Sequence, residues 1–150
     1  RQLFLDYGVE VRLGVIEPRP REQAGGAGYM ILVPAVDSDG NDVPGIRLPG
    51  VTVPLATYTG WNLQSHELVE GELAGLMGSS ISFSRTLVDR HTSDDPRLSL
   101  EERYKNVDDY LRKVRRAIAS LIELGLMLTE DTDALLADSQ RAYLEAVRDL

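Results

Sequence analysis

The sequence of 150 residues is long enough to bury one sizeable core, and a second independent core is not expected. Its formal net charge of −8 at pH 7 argues against nucleic acid and anionic membrane as partners, because both select concentrated Lys and Arg. Without cysteine there is no disulfide framework, thiolate nucleophile or cysteine-based zinc site. The cellular compartment is not determined, and export of a longer protein that contains the chain is left open.

The N-terminal segment from Leu3 to Ile16 alternates apolar and polar residues, which is typical of a half-buried strand. Residues 17–28 combine proline, glycine and charge, so a surface loop is predicted there. The chain opens at Arg1 without a methionine, directly before the first strand pattern, and we expect it to be part of a longer polypeptide.

A β-hairpin is predicted next. Strands over Tyr29–Val36 and Val43–Leu48 flank the turn Asp37–Asp42, whose Asp, Gly and Asn residues tolerate positive φ and bind their own backbone.

A calcium loop is the sharper alternative for this turn, because Asp37, Asp39 and Asn41 have the alternating spacing of calcium ligands. The register does not fit an EF-hand, since Asp42 stands where glycine is needed and Leu48 where glutamate is needed. We therefore interpret the three acidic residues, Asp37, Asp39 and Asp42, as turn formers, and neither a metal nor another cofactor is expected.

The stretch from Gly45 to Leu63 is predicted to be the core-forming strand segment. Alternate residues from Val51 to Thr57 fall on one side of an extended chain, so one face can be buried. Three prolines, Pro44, Pro49 and Pro54, require short, edge or bent strands. Trp61 ends the segment and is interpreted as a buried core residue, with a place on a ligand surface as the alternative. As a core residue, its truncation to alanine would cost about 3–5 kcal/mol.

Residues 64–98 form an irregular transition in this interpretation. His66 lies beside acidic residues without a full ligand set, so an exposed histidine is favoured over a metal pair. The sequence GSSIS has Ser82 where a nucleophile elbow needs glycine, and G-x-S-x-G occurs nowhere in the chain. A triad of Ser80, His91 and Asp89 can be drawn, but no pattern supports those roles.

The C-terminal part reads as helical. Ser99 and Glu102 have capping-box spacing, and Arg97 and Arg103 are interpreted as fold-stabilising partners of acidic residues, with substrate carboxylate binding as the alternative. Asn106 is expected to cap a helix that ends at Gly125. A last helix starts at Thr129, and its apolar face is expected to pack on the preceding helix. The apolar positions of the first helix are Val107, Tyr110, Leu111, Val114, Ile118, Leu121 and Ile122.

Two long motifs carry a resemblance. VDSDGNDVPGIRLPGVTVPLATYTGWNL, Val36 to Leu63, and DDPRLSLEERY, Asp94 to Tyr104, resemble the C-terminal region of the large α/β hydrolase domain-containing proteins of bacteria. In that family the nucleophile elbow and triad histidine are expected upstream. The resemblance therefore implies a non-catalytic portion that packs on or covers an active site formed by the upstream hydrolase core of the same polypeptide.

Together these patterns predict an α+β fold with a small, mostly antiparallel sheet followed by a helical hairpin. We expect one domain or domain fragment over 1–150, strand-rich in 1–63, irregular in 64–98 and helical in 99–150. The residues expected to line a ligand surface are Tyr58, Trp61, Asn62 and Arg85. The rival hypothesis is a stand-alone module without enzymatic activity that binds another protein chain, and a homo-oligomer is left open.

Overall fold

The structure is a computed structural model that describes residues 5–6, 21–22, 34–63, 73–74 and 78–148. The chain divides into two compact units. One comprises residues 1–33 and 61–76, and the other comprises residues 34–60 and 77–150.

The described part of the first unit consists of two short antiparallel pairs. Strand β1, Leu5–Asp6, pairs with β2, Arg21–Glu22, and β4, Asn62–Leu63, pairs with β5, Leu73–Ala74. Strand β2 gives residues 21–22 a pairing partner inside the loop predicted over 17–28, and the other residues of that loop lie outside the described residues. The rest of the first predicted strand, residues 29–33 of the second, and His66 lie outside the described residues.

The second unit contains one helical turn, α1, Pro49–Thr52, followed by strand β3, Ala56–Thr59. The prediction of short, edge or bent strands over Gly45–Leu63 is therefore wrong for residues 49–52, which form a helical turn, and is confirmed for β3. Pro49 occupies the start of α1, where its fixed φ suits a helix and its missing N–H is not needed. Residues 53–57 are buried in succession, so their burial does not alternate as in a half-exposed strand.

Strand β3 pairs antiparallel with β6, Ser79–Ser82, with Thr57 opposite Ile81. The pairing continues to Phe83, whose N–H donates to the Leu55 carbonyl at 3.2 Å. Residues 79–82 are thus a strand partner of β3 and not an irregular transition.

The predicted turn at Asp37–Asp42 is confirmed. Val36 and Asp42 form an antiparallel bridge, and Asp37 Oδ1 accepts from the backbone N–H groups of Asp39 at 2.9 Å and Asn41 at 3.0 Å. Gly40 has φ +78°, and a Cβ there would stand 2.9 Å from a methyl carbon of Thr57. Only glycine therefore lets the turn approach β3 this closely.

The third strand predicted at Val43–Leu48 does not form, because the chain turns at Pro44 and Gly45. Gly45 has φ +88°, which is incompatible with a continuous ladder. The hairpin is therefore reduced to its turn, one bridge and the bond from Val43 N–H to the Ala35 carbonyl at 2.9 Å.

A fully buried amide attaches the turn to the sheet. Asn41 Nδ2 donates to the Ala56 carbonyl at 3.2 Å, and Asn41 Oδ1 accepts from the Tyr58 N–H at 2.7 Å. The alternation of an antiparallel ladder directs these two backbone groups away from β6. The Asn41 side chain thus pairs the other edge of β3 as a neighbouring strand would.

Two short helices, α2 at Leu87–Thr92 and α3 at Leu100–Arg103, each begin with a capping box. In α3 the Ser99 hydroxyl accepts from the Glu102 N–H at 3.3 Å, and Glu102 Oε2 accepts from the Ser99 N–H at 2.9 Å. The sequence prediction at Ser99 is confirmed, whereas the equivalent box formed by Thr86 and Asp89 was missed.

Helix α4, Val107–Glu123, is capped by the Asn106 side chain, as predicted. It ends in a Schellman motif, in which the Gly125 N–H donates to Ile122 and the Leu126 N–H donates to Leu121, both at 2.9 Å. Gly125 has φ +69° there. The predicted apolar face is buried or partly buried throughout.

The last helix, α5, Thr132–Val147, begins three residues later than predicted, because Thr129–Asp131 form a 3-10 turn. Tyr143 stacks on Tyr110 of α4 at 5.0 Å between ring centroids, and Tyr104 meets Tyr110 edge-on at 5.0 Å. Burial raises the pKa of Tyr110 to about 12. The two helices form the predicted pair, and the α+β fold class is confirmed.

The two capping boxes make a matched test of helix initiation. We expect Ser99→Ala to lower the free energy of unfolding by about 1–2 kcal/mol, because Ser99 is fully buried and its hydroxyl cannot be replaced by water. Thr86→Ala, at an exposed position, should cost about 0.5 kcal/mol. Urea denaturation of both variants measures the difference, and equal losses would contradict the role given to burial.

Candidate functional site

Two arginines converge on Phe83, and we call Arg97, Arg103 and Phe83 the arginine clamp. The guanidinium carbon of Arg103 lies 4.1 Å from the Phe83 ring centroid, and that of Arg97 lies 5.1 Å away. Phe83 is buried, with 4% of its surface exposed. Cations over a desolvated ring are attracted by its quadrupole, so the clamp combines core packing with charge.

Arg97 is held by a bidentate pair with Asp95, through Nε to Oδ1 at 2.9 Å and Nη2 to Oδ2 at 2.7 Å. Its Nη1 also donates to Thr57 Oγ1 at 2.8 Å and to the Ile81 carbonyl at 3.0 Å. The hydrogen bond from Arg97 holds the pKa of Asp95 below its ordinary value of 3.8. Arg97 therefore fixes both strands of the sheet and is not available for a substrate carboxylate.

Arg103 pairs bidentately with Asp39 of the turn, with Nη1 to Oδ2 at 2.7 Å and a second bond from Nη2 to Oδ1. Its Nε donates to the Leu98 carbonyl at 2.8 Å. The two charged side chains are only 12% and 17% exposed. The interpretation of Arg97 and Arg103 as fold-stabilising residues is confirmed.

A second acidic turn residue, Asp37, is also paired. Its Oδ2 accepts from Arg47 Nη2 at 2.6 Å, while its Oδ1 closes the turn. Among the described residues, no group of three or more His, Asp or Glu is arranged to hold a metal ion. The turn interpretation of Asp37 and Asp39 rests on these ion pairs, which consume the oxygens a calcium ion would need.

One concave feature with an apolar lining is a groove of about 390 Å³ between α1, β3 and the α4–α5 pair. We call it the apolar groove. Tyr58 of β3 lies against it and is 36% exposed, and burial raises the pKa of its phenol. Its side chains include Leu48, Val51, Tyr58, Met127, Leu135 and Ala142. A lining this apolar with a few polar groups is typical of small-molecule pockets.

The four residues predicted to line a ligand surface belong to two units, each of which is described by itself. Tyr58 lines the apolar groove, whereas Arg85 donates from Nη1 to the Arg148 carbonyl at 2.9 Å, at the end of α5. Trp61 and Asn62 belong to the other unit, where Asn62 pairs with Ala74 in β4 and β5. Their role in ligand binding stays a prediction.

The serines of GSSIS lie on a strand. Ser80 of β6 stands opposite Tyr58 of β3, so it does not occupy the turn between a strand and a helix that a nucleophile elbow requires. The carboxylate of Asp89 accepts from the Thr86 N–H at 3.1 Å in the α2 capping box. Asp89 is thus used for helix capping, and the described residues give no structural support to a triad of Ser80, His91 and Asp89.

Sequence reasoning missed most of the groove. Leu48, Met127 and Leu135 were assigned to a strand, to no element and to a packing face, respectively. A cue was available in the run of apolar residues 124–128, which continues past the helix end at Gly125. Such apolar residues in a connection need a partner surface or remain exposed.

Comparison of the sequence with models of known protein families identifies the family of this chain. The model of a family described as an alpha/beta hydrolase domain matches residues 12–137, and the chain belongs to that family. No curated protein and no solved structure matches the chain. Within the part of the chain that the structure describes, no helix has both the length and the apolar character needed to cross a membrane.

The interpretation of Trp61 as a buried core residue is wrong, because 42% of its surface is exposed. We therefore expect Trp61→Ala to change the free energy of unfolding by about 1 kcal/mol or less, as for most surface residues. Ile118→Ala is the control, since Ile118 is 2% exposed and its loss should cost about 2–5 kcal/mol. Thermal melts of both variants decide, and a loss at Trp61 as large as at Ile118 would restore the core interpretation.

Proposed function

We propose that the chain is the non-catalytic C-terminal portion of a hydrolase of this family. It packs on or covers an active site formed by the upstream part of the same polypeptide. The observation that supports this most is the apolar groove, which opens at the surface of a unit whose buried charges are already paired. A wall of this kind excludes water and contacts the apolar part of a substrate.

The charged residues of the unit favour a supporting role over a catalytic one. The bidentate pairs Asp95–Arg97 and Asp39–Arg103 leave neither arginine available for transition-state charge. Nucleophilic catalysis also needs a serine within reach of a base that a third group orients. In the described residues the carboxylate best placed in sequence for that third role, Asp89, caps α2.

A second candidate function is protein association. Leu124, Leu126 and Leu128 follow one another in the α4–α5 connection and are 68%, 47% and 64% exposed. Clustered apolar exposure of this kind marks interaction surfaces in soluble proteins. Under this alternative the chain binds another protein through the connection and contributes nothing to hydrolysis.

The isolated chain should not hydrolyse p-nitrophenyl butyrate above the rate seen with Ser80→Ala and His91→Ala, because it lacks the G-x-S-x-G elbow. In the full-length polypeptide, Ser80→Ala should leave kcat/KM unchanged, and filling the groove with Val51→Trp should lower it. Leu144→Trp, on α5 but away from the groove lining, is the control.

Two results would contradict the proposal. Turnover by the isolated chain that Ser80→Ala abolishes would locate the nucleophile in this chain. The association module would be favoured by two results together. The first is a full-length polypeptide whose kcat/KM is unchanged by Val51→Trp, and the second is a stable dimer, seen by size-exclusion chromatography, that Leu126→Asp dissociates.

A further inference from the structure

The apolar groove continues into a second cavity, which makes the whole depression elongated. The second cavity has a volume of about 450 Å³ and lies along the α4–α5 connection. Leu48, Met127, Leu135 and Asp138 line both cavities. An occupant can therefore extend from Tyr58 at one end to Leu128 at the other without leaving the apolar lining.

The charge of this lining restricts the occupant. The ionisable acids along the two cavities are Asp131 and Asp138, and no Lys or Arg of the described chain lines either one. Arg141 pairs with Asp138 at 2.7 Å from outside the lining and offsets part of its charge. With the net charge of −8, the depression repels an anionic head group. A cationic head group in the apolar groove meets only Asp138 as an acid, and Arg141 already pairs with that carboxylate.

The hydrogen-bonding groups of the depression are few and lie where a single polar group can reach them. Three residues of the apolar groove carry hydroxyls, Tyr58, Tyr110 and Ser139, and apolar side chains make up most of the remaining lining. A hydroxyl or amide of a ligand would therefore find hydrogen-bond partners near β3. The hydrocarbon part of the ligand would lie against apolar side chains, which need no hydrogen bonds.

From this shape and charge we infer that the depression binds an uncharged molecule with a linear hydrocarbon chain, its polar group towards Tyr58 and its chain along Met127 towards Leu128. The inference rests on the proposed function for its biological role, because such a chain would be the apolar part of a substrate. Binding itself is a property of the isolated chain and is measured without the upstream part, so the two can fail separately.

The test measures displacement of the neutral fluorophore N-phenyl-1-naphthylamine by 1-decanol, decanoate and decylammonium at equal chain length, each below its micelle concentration. We expect 1-decanol to displace the fluorophore and decanoate to need at least about tenfold higher concentration, since the lining carries only acidic charge. Equal potency of decanoate and 1-decanol would overturn the inference, and so would decylammonium as the strongest competitor.

A matched pair of leucine variants locates the site. Leu48, 58% exposed, lines both cavities, whereas Leu144, 48% exposed, lines neither. Leu48→Asp should weaken 1-decanol binding about tenfold because it removes a central apolar contact, and Leu144→Asp should leave it unchanged. Since both leucines are exposed, neither variant is expected to unfold.

Met127→Trp, which fills the junction of the two cavities, should reduce binding as Leu48→Asp does. Binding that survives both Leu48→Asp and Met127→Trp would overturn the inference. So would a chain that fails to bind 1-decanol and instead self-associates through Leu48, because the occupant would then be a second copy of the chain.

Discussion

Two guanidinium groups over one buried phenyl ring hold together the segments that the second unit is made of. Arg103 ties the turn at Asp39 to α3. Arg97, in the segment before α3, contacts β3 through Thr57 and β6 through the Ile81 and Ser82 carbonyls. Each charge is largely removed from water, which is tolerable only because a carboxylate and further hydrogen bonds accompany it. The position of β3, and with it Tyr58 at the groove, depends on this arrangement.

The same interactions decide how the acidic residues of the turn are used. Asp37 and Asp39 have the spacing of cation ligands in the sequence, yet their oxygens accept from backbone N–H groups and from arginines. A carboxylate that is bound bidentately by a guanidinium has little capacity left for a metal ion. What reads as a binding motif in the sequence is here a joint between two parts of the fold.

The helical part could be predicted because its signals are local. Caps at Ser99 and Asn106, a 3.6-residue apolar period in α4 and glycine at 125 each act within a few residues. Within Gly45–Leu63 the strand prediction failed at residues 49–52, because β-branched residues and alternation were weighed without the helix-starting preference of Pro49. Trp61 was misplaced because a lone aromatic residue carries no sequence signal of its exposure.

The groove could not be found from the sequence, since its lining comes from separate segments that only the tertiary fold brings together. Leu48 precedes α1, Tyr58 is in β3, and Met127 lies beyond the end of α4. Likewise, Arg97 and Arg103 were recognised as structural, but their shared partner Phe83 belongs to no motif and is reached only through β6. The family membership places this groove in a chain of the alpha/beta hydrolase domain family, and the groove gives that chain an apolar surface.

A double-mutant cycle on Asp39 and Arg103 tests most directly whether charge pairs build this fold. Free energies of unfolding of Asp39→Ala, Arg103→Ala and the double variant should give a coupling of about 2 kcal/mol, because the pair is bidentate and largely buried. The same cycle on Asp138 and Arg141, which are 65% and 68% exposed, should give a coupling near zero. A coupling for Asp39 and Arg103 no larger than that of the exposed pair would contradict the account and would free both side chains for another role.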